Sequence, residues 1–127
     1  MIAVDSSALM AIVLDETLAD ACARCLQDSE ETIISAVTLA EVLIVAQSRG
    51  VAVQLRALID NLDIKVVPVD ETTAEQVTFV YSTWGKGRHK ASLNIVDCFS
   101  YTVAKANNCP LLFVGNDFSQ TDIESVL

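Results

Sequence analysis

The chain has 127 residues, 52% of them hydrophobic, with 17 acidic against 8 basic side chains and a net charge of −9. That length predicts a single domain over residues 1–127, the apolar share excludes a disordered chain, and no apolar run approaches a membrane span. A surface this negative repels phosphates and argues against indiscriminate nucleic-acid binding.

In chain order, Ile2, Ala3 and Val4 read as a short buried parallel strand that Asp5 ends. Ser6 and Ser7 are placed to cap a helix over 8–14. No basic segment precedes that apolar run, so a soluble, cytoplasmic protein without a secretory signal or membrane segment is expected. A second helix over 18–27 carries Leu18, Cys22, Cys25 and Leu26 at helical spacing, and an acidic turn leads to a strand over 32–35. Cys22 and Cys25 form a CxxC in mid-helix with no further ligands nearby, so the pair reads as small buried residues on a helix, and no structural disulfides are expected.

A longer helix over 37–49 is ended by Gly50, with Val37, Ala40 and Ile44 on its apolar face and Glu41 on the same side. A carboxylate there is costly unless it is paired, bound to metal or facing a wet cleft; the plainer reading is a glutamate at the face edge reaching water. A helix over 51–62 completes an antiparallel hairpin, and a strand over 64–67 is closed by Pro68. The helix over 72–84 aligns Val77, Val80, Tyr81 and Trp84. The loop that follows holds Lys86, Arg88 and Lys90, three of the eight bases, together with His89, the only histidine. A helix over 94–107 carries Asp97 in its first turn, and a strand over 111–114 leads through Gly115 and Asn116 to Asp117. For the tail over 121–127, a short strand and a short helix both remain open.

Alternating strands and helices predict a mostly parallel sheet covered on both faces. Asp5 and Asp117 follow strands and therefore share the carboxyl edge, where ligands bind in such sheets. Asp97 and Glu41 can border the same crevice. Four clustered acids raise one another's pKa, and a divalent cation such as Mg²⁺ would neutralise them. Seventeen acids in 127 residues also allow quartets by chance.

Five segments occur in order: Val4-Asp5-Ser6-Ser7-Ala8-Leu9, Thr38-Leu39-Ala40-Glu41-Val42, Gly85-Lys86-Gly87-Arg88-His89, Leu93 to Tyr101 with Asn94 and Asp97 inside it, and Gly115 to Asp122 with Asp117. Together they resemble the PIN-domain ribonucleases, and among them the VapC toxins of toxin–antitoxin pairs, over essentially the whole chain. The resemblance implies a PIN-like three-layer α/β/α sandwich and Mg²⁺- or Mn²⁺-dependent endonucleolytic cleavage of RNA. By position, Asp5, Glu41, Asp97 and Asp117 match the family's four acids. Asp5 and Asp97 would touch metal, and Glu41 and Asp117 would orient water. Ser7 matches a hydroxyl beside the first acid, which it would bond to at the substrate-binding site, with helix capping as its plainer role. Lys86, Arg88, His89 and Asn94 would contact the substrate, against the plainer reading of a solvated loop. Val114 stands where relatives often carry Lys, and Lys90 where Pro is usual.

The implied partners are a transfer or ribosomal RNA as substrate, a second copy in a homodimer, and a cognate antitoxin that places a basic side chain among the acids. Two other functions compete. A catalytically silent PIN-like RNA-binding module would commonly have lost acids, and this chain keeps four. A phospho-accepting receiver domain would want two adjacent acids after the first strand and a Lys after the last, where this chain has Asp5-Ser6 and Val114-Gly115.

Overall fold

Short apolar runs bounded by polar residues become the strands of a four-stranded, all-parallel sheet in a computed structural model that describes residues 1–127. The strands are β1 (Ile2–Val4), β2 (Thr32–Ser35), β3 (Lys65–Val67) and β4 (Leu111–Leu112), in the order β3-β2-β1-β4. Ala3 pairs with Ile33 on one side and Leu111 on the other, so β1 is central. The strand order reverses beside β1, which makes its carboxyl end a switch point where a crevice opens.

Six helices cover the sheet: α1 (Ser6–Val13), α2 (Ala19–Asp28), α3 (Ala36–Ser48), α4 (Ala52–Asn61), α5 (Glu71–Trp84) and α6 (Ile95–Ala106). Alternation along β1 assigns the two cores. Ile2 and Val4 pack with Leu9, Cys22, Val42 and Leu55 beneath α1–α4. Ala3 packs with Val77, Val80, Cys98 and Leu111 beneath α5 and α6. This is the three-layer α/β/α sandwich. All four cysteines are free thiols, Cys22 and Cys98 fully buried. No helix is long and apolar enough to cross a membrane.

Two details differ from the sequence expectation, and a third that the sequence left open is decided. The cap of α1 is Asp5, whose side chain accepts from the Ser7 amide, so the helix begins at Ser6 and neither serine caps it. The buried stripe of α3 is Thr38, Val42 and Ala46, while Ile44 stands 64% exposed. The apolar residues of this helix run nearly all round it, so periodicity alone could not orient it. The tail is strand-like: the Leu111 amide donates to Glu124 O and the Val126 amide to Leu111 O, which adds a parallel bridge outside β4.

α3 and α4 turn about Gly50, where φ is +73° and a side chain would be strained. α5 and α6 are joined through a loop pinned at its neck, where the Leu93 amide donates to Trp84 O and the Lys86 amide to Leu93 O.

Candidate active site

Asp5 sits at the carboxyl end of the central strand, 4% exposed. Three donors hold it, and two further groups support those donors. Its Oδ2 accepts from the Ser7 amide at 3.1 Å and from Ser7 Oγ at 2.7 Å. Its Oδ1 accepts from Ser100 Oγ at 2.6 Å. Ser100 has spent its only proton on Asp5, so Thr38 Oγ1, 2.9 Å away, donates to Ser100 in turn. The Val114 amide donates to Ser7 Oγ at 3.0 Å, so the segment leaving β4 is tied to the same carboxylate. One acid thus locks α1, α3, α6 and the end of β4 around a single point.

Asp97 reaches that point from α6. Asn94 caps the helix and forms a capping box with it: Asn94 Oδ1 accepts from the Asp97 amide at 2.8 Å, and Asp97 Oδ2 accepts from the Asn94 amide at 3.1 Å. Burial raises the Asp97 pKa to about 6, against the opposing hydrogen bond from Asn94 and with help from the negative charges of Asp5, Asp117 and Glu41. The repulsion is felt from all three other acids, which places the quartet in one field. Glu41, half-buried on α3, accepts from Ser6 Oγ at 2.6 Å. Asp117 is exposed in the turn after β4.

The three ion pairs of the chain, Arg56–Asp60, Lys65–Glu31 and Lys105–Asp122, leave these four acids without a cationic side chain. The donor set is all oxygen, negative and uncompensated, which suits a hard divalent cation. No three His, Cys, Asp or Glu side chains converge closely enough to ligate one ion together. The residues present therefore do not form a closed protein cage.

Ser7 bonds to the first acid, as the resemblance implied: its hydroxyl donates to Asp5 and accepts from Val114, so its bonds are spent on holding the acid rather than on substrate. Asn94 likewise uses its side-chain oxygen on the α6 cap. His89 turns inward: its Nδ1 accepts from the Ala91 amide at 2.9 Å, and its ring meets Trp84 edge-on at 4.8 Å. Lys86 and Arg88 are exposed and form no ion pair, so they are free for a polyanion. Three hydroxyls escaped the sequence reading as site residues: Ser6, Thr38 and Ser100. The available signal was Ser100, a hydroxyl one turn from Asp97 in an otherwise apolar stretch of α6.

The family model for the PIN domain matches residues 2–124 of this chain. The chain is 37% identical over 126 residues to Ribonuclease VapC of Mycolicibacterium smegmatis, covering 97% of this chain and 98% of that protein. It is 40% identical over 126 residues to Ribonuclease VapC36 of Mycobacterium tuberculosis, covering 95% and 90%. Among solved structures it superposes on Mycobacterium tuberculosis VapC20, described as a sarcin–ricin loop cleaving toxin, with a TM-score of 0.78 at 19% identity, covering 97% of this chain and 96% of that one. A toxin–antitoxin complex from Klebsiella pneumoniae gives 0.75 at 16% identity, covering 100% and 97%. Both structural likenesses concern the fold.

Proposed function

We propose that this chain, which belongs to the PIN-domain family and to its VapC ribonucleases, is an endoribonuclease toxin that hydrolyses RNA with a divalent cation and is restrained by an antitoxin. The observation that carries the reading is the uncompensated quartet: four carboxylates in one field, one of them with its pKa raised to about 6 by burial and by the other three. An apolar fold does not keep such repulsion without a use for it.

Asp5 and Asp97 are the residues that would hold Mg²⁺ or Mn²⁺. When bound, the ion supplies positive charge to the scissile phosphate and acidity to water. The chain's own residues do the rest. Ser7 and Ser100 fix both oxygens of Asp5, so the ligand is preorganised before anything binds. The Asn94 box fixes Asp97 in the same way. Glu41 and Asp117 orient water toward the phosphate, with Ser6 steadying Glu41. Lys86 and Arg88 attract the RNA backbone to an otherwise acidic surface.

An antitoxin segment that brings an arginine among the acids would compete with both cation and RNA, since a guanidinium binds carboxylates bidentately. The negative balance of the chain, −9, also favours encounter with a basic partner. Ile44 and Val53 stand 64% and 80% exposed on the α3–α4 hairpin, which supports a homodimer. Of α1, Ala8 to Ala11 are taken up by the core, which leaves only the partly buried Ile12 and Val13 for such a surface.

The test is RNA cleavage by the purified protein with Mg²⁺ or Mn²⁺, with EDTA, and by Asp97→Asn. Cleavage lost in both of the latter supports the reading; full cleavage in EDTA overturns the metal role. Sequencing the 5′ ends of fragments after induced expression then identifies the RNA.

A further inference from the structure

Three of the four acids are held by hydrogen bonds of their own: Asp5 by Ser7 and Ser100, Glu41 by Ser6, and Asp97 by the Asn94 amide. Asp117 is the exception. Its carboxylate is exposed and accepts from no group of the protein, so its placement depends on the strap that carries it, residues 115–123 between β4 and the bridge at Ser125. That strap is tied within itself by overlapping turns. The Ser119 amide and Ser119 Oγ both donate to Asn116 O, at 3.2 and 2.7 Å. The Thr121 amide and Thr121 Oγ1 both donate to Phe118 O, at 3.1 and 2.7 Å, and the Ile123 amide donates to Thr121 Oγ1 at 3.2 Å. Asp117 lies near one end of these turns and Asp122 near the other.

Two kinds of contact join the strap to the rest of the fold. Phe118, 2% exposed and packed against Phe113, sinks it into the core, but apolar burial carries no direction. Directional bonds come from Asp122. Its Oδ1 accepts from Tyr101 Oη, its Oδ2 pairs with Lys105 Nζ at 3.4 Å, and its backbone oxygen accepts from the same ammonium at 3.4 Å. The Asp122 side chain is 60% exposed, so the ion pair by itself contributes little. The phenol is the stronger half: Tyr101 is 7% exposed, its buried hydroxyl needs an acceptor, and an ionised acceptor strengthens the bond. That bond, with the Lys105 charge behind it, holds the Asp122 carboxyl below the usual carboxylate range. Tyr101 follows Ser100 on α6 and lies one turn beyond Asp97. The helix that delivers the third acid and a donor to the first therefore also grips the strap that delivers the fourth.

We propose that Asp122 is a positioning residue of this site: gripped by Tyr101 and Lys105 of α6, it fixes the strap and so aims the Asp117 carboxylate, which has no hydrogen bond of its own. The inference rests on the reading of the chain as a ribonuclease and adds a fifth carboxylate, outside the quartet, to its machinery. Asp122 acts through Asp117 and not on RNA, so its loss lowers turnover and spares substrate binding. Small displacements suffice, because a misplacement of about 1 Å at a reacting group can cost about 100-fold in rate.

The test pairs cleavage kinetics with amide hydrogen exchange, both on the full chain. Cleavage of total bacterial RNA with Mn²⁺ is followed by counting the 5′ ends produced across a range of RNA concentrations. Asp122→Ala, at an exposed position, should lower kcat at least fivefold and leave KM within twofold. Tyr101→Phe, which cuts the same bond from the α6 side, should reproduce that loss, and Asp122→Asn, which still offers Tyr101 an acceptor, should recover kcat to within threefold of the parent. Asp122→Ala added to Asp117→Ala should change kcat less than twofold, because the group it positions is already gone. Exchange read by NMR should show the Ser119 and Thr121 amides at least tenfold faster in Asp122→Ala, with the Val103 and Ala104 amides inside α6 unchanged. Strap amides unaffected by Asp122→Ala overturn the proposal. So do parent-like turnover in Asp122→Ala or Asp117→Ala, a loss confined to KM, and a full additional loss in the double variant. Cleavage by the parent with any of these results leaves the ribonuclease reading intact. A parent that cuts no RNA while its strap amides respond as expected withdraws that reading and the catalytic part of this one, and keeps the grip of Asp122 on the strap.

Discussion

Asp97 is held at an energetic cost, and the direction of that cost is testable. With its pKa raised to about 6, the folded protein keeps a proton that the unfolded chain gives up nearer pH 4. Below pH 4 both forms are protonated and the residue costs nothing; as pH rises through 6, stability from this group is lost. Melting in EDTA between pH 4 and 8 should show that fall, and Asp97→Asn should flatten it and melt higher than the parent at pH 7, because the amide oxygen can still accept in the Asn94 box. A parent-like pH profile in the variant would place the repulsion elsewhere. Ser100 carries a second prediction. Ser100→Ala removes the donor to Asp5 Oδ1 and leaves that oxygen buried, which should cost about 1–3 kcal/mol in urea unfolding. Because the serine positions an acid and does not touch RNA, kcat should fall while KM changes little.

At the scale of elements, the segment from Trp84 to Leu93 acts as a pinned loop. Gly85 is needed there for close approach: a Cβ would lie 2.4 Å from Tyr81 O. Gly85→Ala should therefore push the loop off the end of α5 and cost about 1–3 kcal/mol, as overpacking does; unfolding in urea measures it. Lys86 and Arg88 ride on this loop without ion pairs. Replacing both by alanine should weaken RNA binding and lower the slope of log K against log salt by about 1.4, the value for two phosphate contacts on a single strand. Turnover at saturating RNA should barely change, and an unaltered salt slope would leave the loop as solvated surface.

At the scale of the whole molecule, one sheet edge gathers the acids while three of the eight cations, Lys86, Arg88 and Lys90, sit on the loop between α5 and α6. Such a division lets an acidic protein hold a polyanion without losing repulsion elsewhere on its surface. The exposed apolar side chains of the α3–α4 hairpin belong to the same scale. Light scattering at micromolar concentration should give a dimer mass, and Val53→Asp should shift it to a monomer without lowering the melting temperature of the fold, since Val53 is 80% exposed. A monomer in the parent protein would leave Ile44 and Val53 as ordinary surface.

The layered architecture and the order of its elements were legible in the chain because they are local. Apolar runs of three or four residues bounded by polar ones make buried strands, and repeats near 3.6 make helices, whatever surrounds them. The acids at strand ends were legible for the same reason, since a strand's carboxyl end is a position in sequence as well as in space. What only the tertiary structure decided is whatever depends on residues far apart in the chain. Ser100 lies 95 positions from Asp5 and 62 from Thr38, so no window could join these three groups. The face of α3 was misjudged because Val37, Ala40 and Ile44 are as apolar as the residues it buries, and packing against the sheet and α6 chose among them. The bond from Ser7 to Asp5 is local and legible, whereas the amide that donates to Ser7 belongs to Val114, 107 positions away. Hydrogen-bond partners and burial are properties of the folded neighbourhood; periodicity and chain order are properties of the sequence, and each decided its own share of this protein.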